Sequence, residues 1–239
     1  MVVYGRNPVR EALRGRRSHQ VTSIWATAGA AREPWLREAS RLRVCSAEEV
    51  ERRCGSSTHQ GVCAEAGGYP YVAADELLAV EQPLIVVLDQ VQDPHNLGSI
   101  CRTAECVGAT GVVIAERRSA EVTSTVCKTS AGAVEHMRVA RVRNVADFLG
   151  QARDAGCWCY GASAGNGAVP YDTPDYSGGA VLVLGSEGSG LRPRVAASCD
   201  QLVALPLRGS VESLGVSAAA AAILYGILQS RERSLDKAP

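Results

Sequence analysis

The chain has 239 residues, of which 46% are hydrophobic and 21% are charged, so its apolar content excludes a disordered protein. Lys and Arg balance Asp and Glu at 25 each, which excludes a uniformly basic nucleic-acid binder but leaves local basic patches open. No apolar run approaches the roughly 20 residues that a membrane-spanning helix needs.

The cysteines and the N-terminus both favour a cytoplasmic protein. Nine cysteines are an odd number, and residues 1–7 lack the apolar run of a signal peptide. A reduced setting is therefore expected rather than an exported disulfide scaffold. The sequence contains no CxxC pair, and its four histidines have no partner at metal-ligand spacing. We expect mostly buried thiols and no metal site.

Residues 1–67 are predicted to form a small α/β domain, followed by a linker over residues 68–82. The linker begins with Gly-Tyr-Pro and contains one short helical turn. Five arginines lie within the first 20 residues, against one glutamate. Strands are expected over residues 21–25, 43–45 and 61–65, and helices over residues 7–13, 34–41 and 47–54.

Residues 83–239 are predicted to form an α/β domain with a parallel sheet and helices on both faces. Its first strand, Leu84 to Leu88, is continuously apolar, which is typical of a strand buried on both faces. Strands that alternate with helices favour a parallel sheet. Further strands are expected over residues 111–115, 138–142, 157–162, 180–184 and 202–205, and helices over residues 97–107, 121–129, 144–155 and 213–233.

The loop after the first of these strands carries two candidate site residues. Asn96 stands where a helix would start, and Arg102 follows about a turn and a half later. Asn and Arg near a helix N-terminus favour an anion or polar-ligand site. The alternative is that Asn96 only caps the helix and that Arg102 is a solvated surface residue.

A glycine-rich loop, Gly185-Ser-Glu-Gly-Ser-Gly190, directly follows the strand that ends at Leu184. Its glycines allow backbone amides to face a ligand. The spacing is not GxGxxG, and Glu187 would repel a pyrophosphate, so a cationic or hydroxyl-bearing ligand is favoured. The alternative is a tight strand-to-helix turn with Glu187 exposed.

A third loop runs from Leu205-Pro-Leu207 to Ser213-Leu-Gly-Val-Ser217 and enters an Ala-rich helix. Ser213 or Ser217 could simply cap this helix. The small residues that follow allow close packing, either within the core or across a dimer contact.

Taken together, the three loops resemble the motifs of the SpoU (TrmH-type) RNA 2′-O-ribose methyltransferases of the SPOUT superfamily. The resemblance extends from residue 83 to about residue 231. The N-terminal segments 3–13 and 59–61 resemble members that methylate a guanosine of large-subunit ribosomal RNA. The matching positions are Asn96, Gly98, Arg102 and Ala104; Gly185, Glu187 and Gly190; and Leu205, Pro206, Leu207, Ser213, Leu214, Val216 and Ser217.

This resemblance implies a C-terminal trefoil knot, a homodimer and S-adenosylmethionine as cofactor. It implies that Arg102 lies beside the target 2′-hydroxyl and pairs with Glu187. The catalytic residues would be Arg102, Asn96, Glu187 and Ser213. The cofactor-binding residues would be Gly185, Leu205, Leu214, Leu184, Gly190 and Leu207. The residues expected to contact RNA phosphates are Arg6, Arg10, Arg14, Arg16 and Arg17.

One position departs from the resemblance: Gly215 stands where the family usually carries Asn. This leaves open a catalytically impaired RNA-binding or ribosome-assembly factor. A transfer RNA methyltransferase, or one that protects ribosomal RNA from an antibiotic, also stays open. A nicotinamide-dependent dehydrogenase is disfavoured, because its glycine fingerprint is missing.

Overall fold

The computed structural model describes residues 1–37, 39–165, 167–210 and 213–236. Over these residues the chain forms two compact units, each built around its own sheet. Unit 1 contains Met1–Pro70 and Glu121–His136, and unit 2 contains Tyr71–Ala120 and the chain from Met137 onward.

The elements are numbered in chain order over the described residues. The strands are β1 (Val2–Tyr4), β2 (Val21–Ala26), β3 (Leu42–Val44), β4 (Val62–Ala66), β5 (Leu84–Asp89), β6 (Gly111–Ala115), β7 (Val139–Val142), β8 (Trp158–Ala162), β9 (Val169–Pro170), β10 (Ala180–Gly185) and β11 (Gln201–Ala204). The α-helices are α1 (Arg6–Ala12), α2 (Pro34–Arg37), α3 (Ala47–Cys54), α4 (Asp75–Leu78), α5 (Pro94–Cys106), α6 (Ser124–Thr129), α7 (Val145–Asp154), α8 (Pro193–Ala197) and α9 (Val216–Leu235).

Unit 1 has the strand order β1-β4-β2-β3, in which β4 is antiparallel to both neighbours and β3 is parallel to β2. Helix α3 begins behind Ser46, whose side chain accepts a hydrogen bond from the Glu49 amide, and ends at the left-handed Gly55. Its buried Val50 packs on Trp25 and Cys63 of the sheet. The cap and the glycine stop explain why this helix was predictable.

A buried ion pair joins the two chain segments of unit 1. Arg17 and Glu135 both have fully buried side chains, and two Arg17 nitrogens lie 2.7 and 2.6 Å from the two Glu135 oxygens. Arg17 also donates to the Gly67 carbonyl. Burial opposes its charge, but Glu135 raises the pKa of Arg17 above its ordinary value. The prediction that Arg17 contacts RNA phosphate is therefore wrong, since its guanidinium is inside the unit.

Unit 2 contains a parallel sheet with the order β7-β6-β5-β10-β8-β11-β9 over the described residues. Strands β5 and β10 are buried along their whole length and pair from Leu84 with Ala180 to Asp89 with Gly185. The predicted parallel α/β sheet is confirmed. Helix α9 packs against α5 and β10.

Several predicted boundaries were wrong. Strands β1 and β9 and helix α8 were not predicted, and α2 ends at Arg37 rather than at residue 41. Helix α9 begins at Val216, so Ser213 precedes the helix and does not cap it. Residues 121–136 were predicted within the second domain, but their helix α6 packs on β1 of unit 1. Pattern within a linear segment carries no information about which sheet the segment joins.

The buried cysteines behave as small hydrophobic residues. Burial raises the pKa values of Cys101 and Cys159 to about 12, so these thiols are protonated at neutral pH. Among the described residues, no helix is both long enough and apolar enough to pass through a membrane.

The Arg17–Glu135 pair predicts a large and specific stability effect. Arg17→Met leaves a buried carboxylate without its partner and should lower the free energy of unfolding by about 3–5 kcal/mol. Adding Glu135→Leu removes the stranded charge and should recover most of the loss. The free energy of unfolding of the single and the double variant is measured by urea titration. The β2 and β4 amides, followed by hydrogen exchange, report on unit 1. Exposed Arg14→Met is the control, and an equal effect of the two Met variants would contradict the account.

Candidate functional site

A cleft of 710 Å³ lies in unit 2 at the carboxyl ends of β8, β10 and β11. This is the edge of a parallel sheet at which ligands bind. Its walls come from three segments that are far apart in sequence, and α9 contributes Ala219 and Ile223. The segments are residues 162–164, residues 184–191 and the stretch from Val203 to Val216, of which Val203, Leu205, Leu207 and residues 213–216 line the cleft.

The predicted cofactor residues and two of the predicted catalytic residues share this cleft. They are Leu184, Gly185, Gly190, Leu205, Leu207 and Leu214, together with Glu187 and Ser213. Leu207 and Leu214 have exposed side chains, at 39% and 48%, which is unusual for leucine. An open apolar surface of this kind is available to a ligand.

The glycine loop is a closed turn. Ser186 and Gly190 exchange two backbone hydrogen bonds, of 3.1 and 2.9 Å. A Cβ at Gly185 would lie 2.1 Å from the Gly190 carbonyl carbon, a distance that no side chain tolerates. Gly185 is therefore required for the close approach of the two ends of the turn.

A buried carboxylate holds the far end of the same turn. Asp89, the last residue of β5, has a fully buried side chain and accepts from the Arg192 backbone amide at 3.0 Å and its guanidinium at 2.6 and 2.8 Å. The charge-assisted bonds fix the residue at which the turn enters α8. The glycine turn is thus fastened to the neighbouring strand.

Asn96 meets Glu187 across the two loops. The Asn96 side-chain amide donates a 2.9 Å hydrogen bond to Glu187 Oε1. Asp93, not Asn96, caps α5, because its carboxylate accepts from the His95 amide at 2.8 Å. The interpretation of Asn96 as a helix cap is wrong, and its side chain is left free to reach the glycine loop.

Arg102 lies elsewhere on α5. It is exposed, it does not line the cleft, and it has no hydrogen bond or ion pair with another described residue. Six residues separate it from Asn96, which places the two side chains about 120° apart around the helix axis. The expected Arg102–Glu187 pair is therefore not formed within one chain.

Gly215 lies next to Glu187. A Cβ built on Gly215 would meet only Glu187 Oε1, at 3.8 Å, which is an ordinary contact. Gly215 has φ −57° and ψ 146°, a conformation open to any residue. Glycine is thus not required here by backbone or packing.

The cleft also contains residues that the sequence analysis missed. Ala162, Ser163 and Ala164 follow β8 and form one wall. The rule that ligands bind at the carboxyl ends of parallel strands would have found them, because β8 was predicted to end at residue 162. Ile223 has no comparable signal, since its position depends on how α9 packs.

The four remaining N-terminal arginines differ in how free their guanidinium groups are to bind a phosphate. Arg6 pairs with Glu33 and Arg10 with Glu11, and both side chains stay partly exposed. Arg14 and Arg16 are exposed, and Arg14 has no hydrogen bond or ion pair with another described residue. The glutamates near Arg6 and Arg10 would compete with phosphate, so Arg14 is the most available of the four.

The chemistry of the cleft suits a nucleoside-like ligand. Its volume is in the range of small-molecule and cofactor sites, and it combines leucine side chains with the polar backbone of a glycine turn. In the part of the chain that the structure describes, no three His, Cys, Asp or Glu residues are arranged to hold a metal ion. The fold and cleft define an α/β protein with a cofactor-sized site at the carboxyl edge of its sheet.

Both parts of the chain match known protein families. Residues 83–225 match the SpoU rRNA methylase family, and residues 2–72 match the RNA 2′-O ribose methyltransferase substrate-binding domain. The chain belongs to the SpoU rRNA methylase family, and it is an RNA methyltransferase of that family, whose cofactor is S-adenosylmethionine.

Individual relatives agree with this assignment. The chain is 37% identical over 242 residues to YacO of Bacillus subtilis, named for the TrmH family of tRNA/rRNA methyltransferases, covering 96% of this chain and 95% of that protein. The crystal structure of the SpoU methyltransferase AviRb from Streptomyces viridochromogenes matches with a TM-score of 0.82 and 26% identity, over 98% of this chain and 90% of AviRb. AviRb in complex with AdoMet matches with a TM-score of 0.79 and 25% identity, over 97% and 90% of the two chains.

Proposed function

We propose that this protein transfers a methyl group from S-adenosylmethionine to a ribose 2′-hydroxyl of RNA, with a guanosine of large-subunit ribosomal RNA as the target. The observation that carries the proposal is the cleft at the carboxyl edge of the sheet, with Asn96 hydrogen-bonded to its Glu187. The N-terminal motifs that resemble guanosine-specific members support the substrate.

The residues of the cleft fit the cofactor. Leu205, Leu207 and Leu214 offer apolar surface for the adenine ring, and the backbone of the 185–190 turn offers donors and acceptors for the ribose. No Cβ at Gly188 or Gly190 would meet another atom, so the turn leaves space on its open side. When bound, the cofactor would supply the methyl sulfonium.

The residues around the acceptor would work mainly by positioning. A ribose 2′-hydroxyl is a weak nucleophile, so much of the rate gain comes from alignment with the methyl group. Asn96, Glu187 and Ser213 would orient the ribose. Arg102 would stabilise the forming alkoxide and hold the adjacent phosphate. Arginine keeps its proton in proteins, so a phosphate oxygen or a water would accept the proton of the hydroxyl.

Arg102 would act in the cleft of a second copy of the chain. Within one chain it points away from Asn96 by about 120° of helical rotation, and it is exposed and unpaired among the described residues. In a two-fold dimer each Arg102 would face the partner's cleft. A homodimer with its active sites at the interface is thus part of the proposal.

Unit 1 would hold the RNA. Its match to the substrate-binding family model and its partly exposed Arg6, Arg10, Arg14 and Arg16 support this role. Arginine side chains bind phosphates in bidentate fashion, and the binding should weaken as salt rises.

The C-terminal chain would form the trefoil knot. Strand β11 is three positions away from β5 in the sheet, yet the chain that follows it returns to pack α9 on α5. In a trefoil knot, the chain after β11 would pass through the loop that follows β10 before it enters α9.

Gly215 supports a second candidate, an RNA-binding assembly factor with impaired catalysis. The side-chain amide that the family usually has at this position is missing. Asn96 already satisfies Glu187 Oε1, which favours the enzyme over the binding factor. Incorporation of labelled methyl groups into unmodified ribosomal RNA separates the two, since tight RNA binding without incorporation would support the factor.

Gly185→Ala should weaken cofactor binding. The new Cβ would lie 2.1 Å from the Gly190 backbone and force the turn open. Isothermal titration calorimetry should show the Kd for S-adenosylmethionine rising more than tenfold, a loss of more than about 1.4 kcal/mol. The control is Gly209→Ala, where a Cβ meets no atom within 4 Å. Unchanged affinity in Gly185→Ala would contradict the assigned cofactor site.

Arg102→Ala should lower methyl transfer by about 10²–10³-fold while leaving cofactor binding intact, because only charge stabilisation is lost. Mixing it with Gly185→Ala under subunit exchange tests the action across subunits. Half of the dimers are then mixed. In a mixed dimer the intact cleft of the Arg102→Ala subunit receives Arg102 from the Gly185→Ala subunit, so one of its two sites is complete. About a quarter of wild-type activity should therefore return. No recovery, with exchange verified by two affinity tags, would show that Arg102 does not act in the partner's cleft.

A further inference from the structure

Two exposed arginines follow β6 at the same sheet edge as the cleft. Arg117 and Arg118 lie just beyond the carboxyl end of β6, which pairs in parallel with β5. Neither has a hydrogen bond or an ion pair with another described residue. The mechanism proposed above makes no use of them.

The loop that carries these arginines is held in place. The Ala120 amide donates to the Val91 carbonyl at 2.9 Å, and the Ser119 hydroxyl donates to the same carbonyl at 3.3 Å. Val91 belongs to the connection between β5 and α5, the connection that leads to Asn96. Arg118 has φ +57°, a left-handed conformation that costs energy for a residue other than glycine. The two arginines are therefore presented by a fixed loop beside the acceptor site.

The loops that follow β6 and β7 carry more arginines than carboxylates, although the whole chain is neutral. Arg143, just after β7, has a 92% exposed side chain and only a loose 3.8 Å contact with Glu116. Among residues 116–121 and 143, three arginines stand against two carboxylates, Glu116 and Glu121. Parallel strands are about 4.8 Å apart, so β6 lies about 5 Å from β5 and about 10 Å from β10.

We propose that Arg117 and Arg118 bind backbone phosphates of the substrate RNA next to the target nucleotide, on the β6 side of the cleft. The proposal rests on the proposed function, because it takes RNA as the substrate. Exposed guanidinium groups that form no ion pair with a described carboxylate can bind phosphate oxygens in bidentate geometry. Their contact is with the backbone, so they would position the strand without reading its bases.

The test compares Arg117→Gln/Arg118→Asn with Arg153→Gln. Asn tolerates the left-handed conformation at position 118. Arg153 is an exposed arginine in the last turn of α7, which leads to the amino end of β8 at the opposite sheet edge. The probe is an unmodified large-subunit ribosomal RNA transcript, bound at several salt concentrations. The double variant should raise the RNA Kd about tenfold and lower the slope of log affinity against log salt by about 1.5.

Three further readouts decide the proposal. The control should match the wild type, the Kd for S-adenosylmethionine should be unchanged, and kcat at saturating RNA should stay within twofold. Arg117→Lys/Arg118→Lys should restore most of the binding, because the charges return. An RNA Kd and salt slope equal to those of the control would overturn the proposal, as would a rise in Kd without a change in slope. If the wild type binds the transcript but does not methylate it, the proposed function fails and the phosphate-binding surface stands.

Discussion

The hydrogen bond between Asn96 and Glu187 is the contact on which the account of this site depends. It joins residues that are 91 positions apart in the chain. The bond is possible because β5 and β10 are neighbours in a parallel sheet, so the loops that leave their carboxyl ends meet. Asp89 and Arg192 join the same two loops a second time, through a buried carboxylate. The first contact fixes the glycine turn to α5 and the second fixes its far end to β5, and the shape of the cleft follows.

The cleft and the basic N-terminal segment belong to different units. Unit 2 contains the cleft, while unit 1 contains the basic N-terminal segment. Unit 1 is itself closed by residues 121–136, whose Glu135 neutralises Arg17 in its interior. A charge pair of this kind contributes to stability only while both partners are present, because either charge alone would be buried without compensation.

The sequence predicted the parts of the site that local pattern determines. The apolar runs located β5 and β10, and the glycines of residues 185–190 indicated a loop whose backbone amides can face a ligand. The remaining features depend on tertiary contacts. Arg17 and Arg14 look alike in sequence, but only Arg17 meets a carboxylate 118 residues away. Asn96 and Asp93 can each cap a helix, and the choice was decided by where the helix begins. Arg102 was expected beside Glu187 because the motif was treated as a set, whereas helical geometry separates it from Asn96.

We expect Asn96 and Glu187 to act as one unit in methyl transfer, and a double-mutant cycle measures their coupling. The values of kcat/KM are measured for Asn96→Ala, Glu187→Ala and the double variant, with labelled S-adenosylmethionine and unmodified ribosomal RNA. If the two residues are coupled, removing the second one costs little once the first is gone. The kcat/KM of the double variant should therefore be no more than about threefold below that of the less active single variant. A double variant whose loss equals the product of the two single losses would contradict the claim.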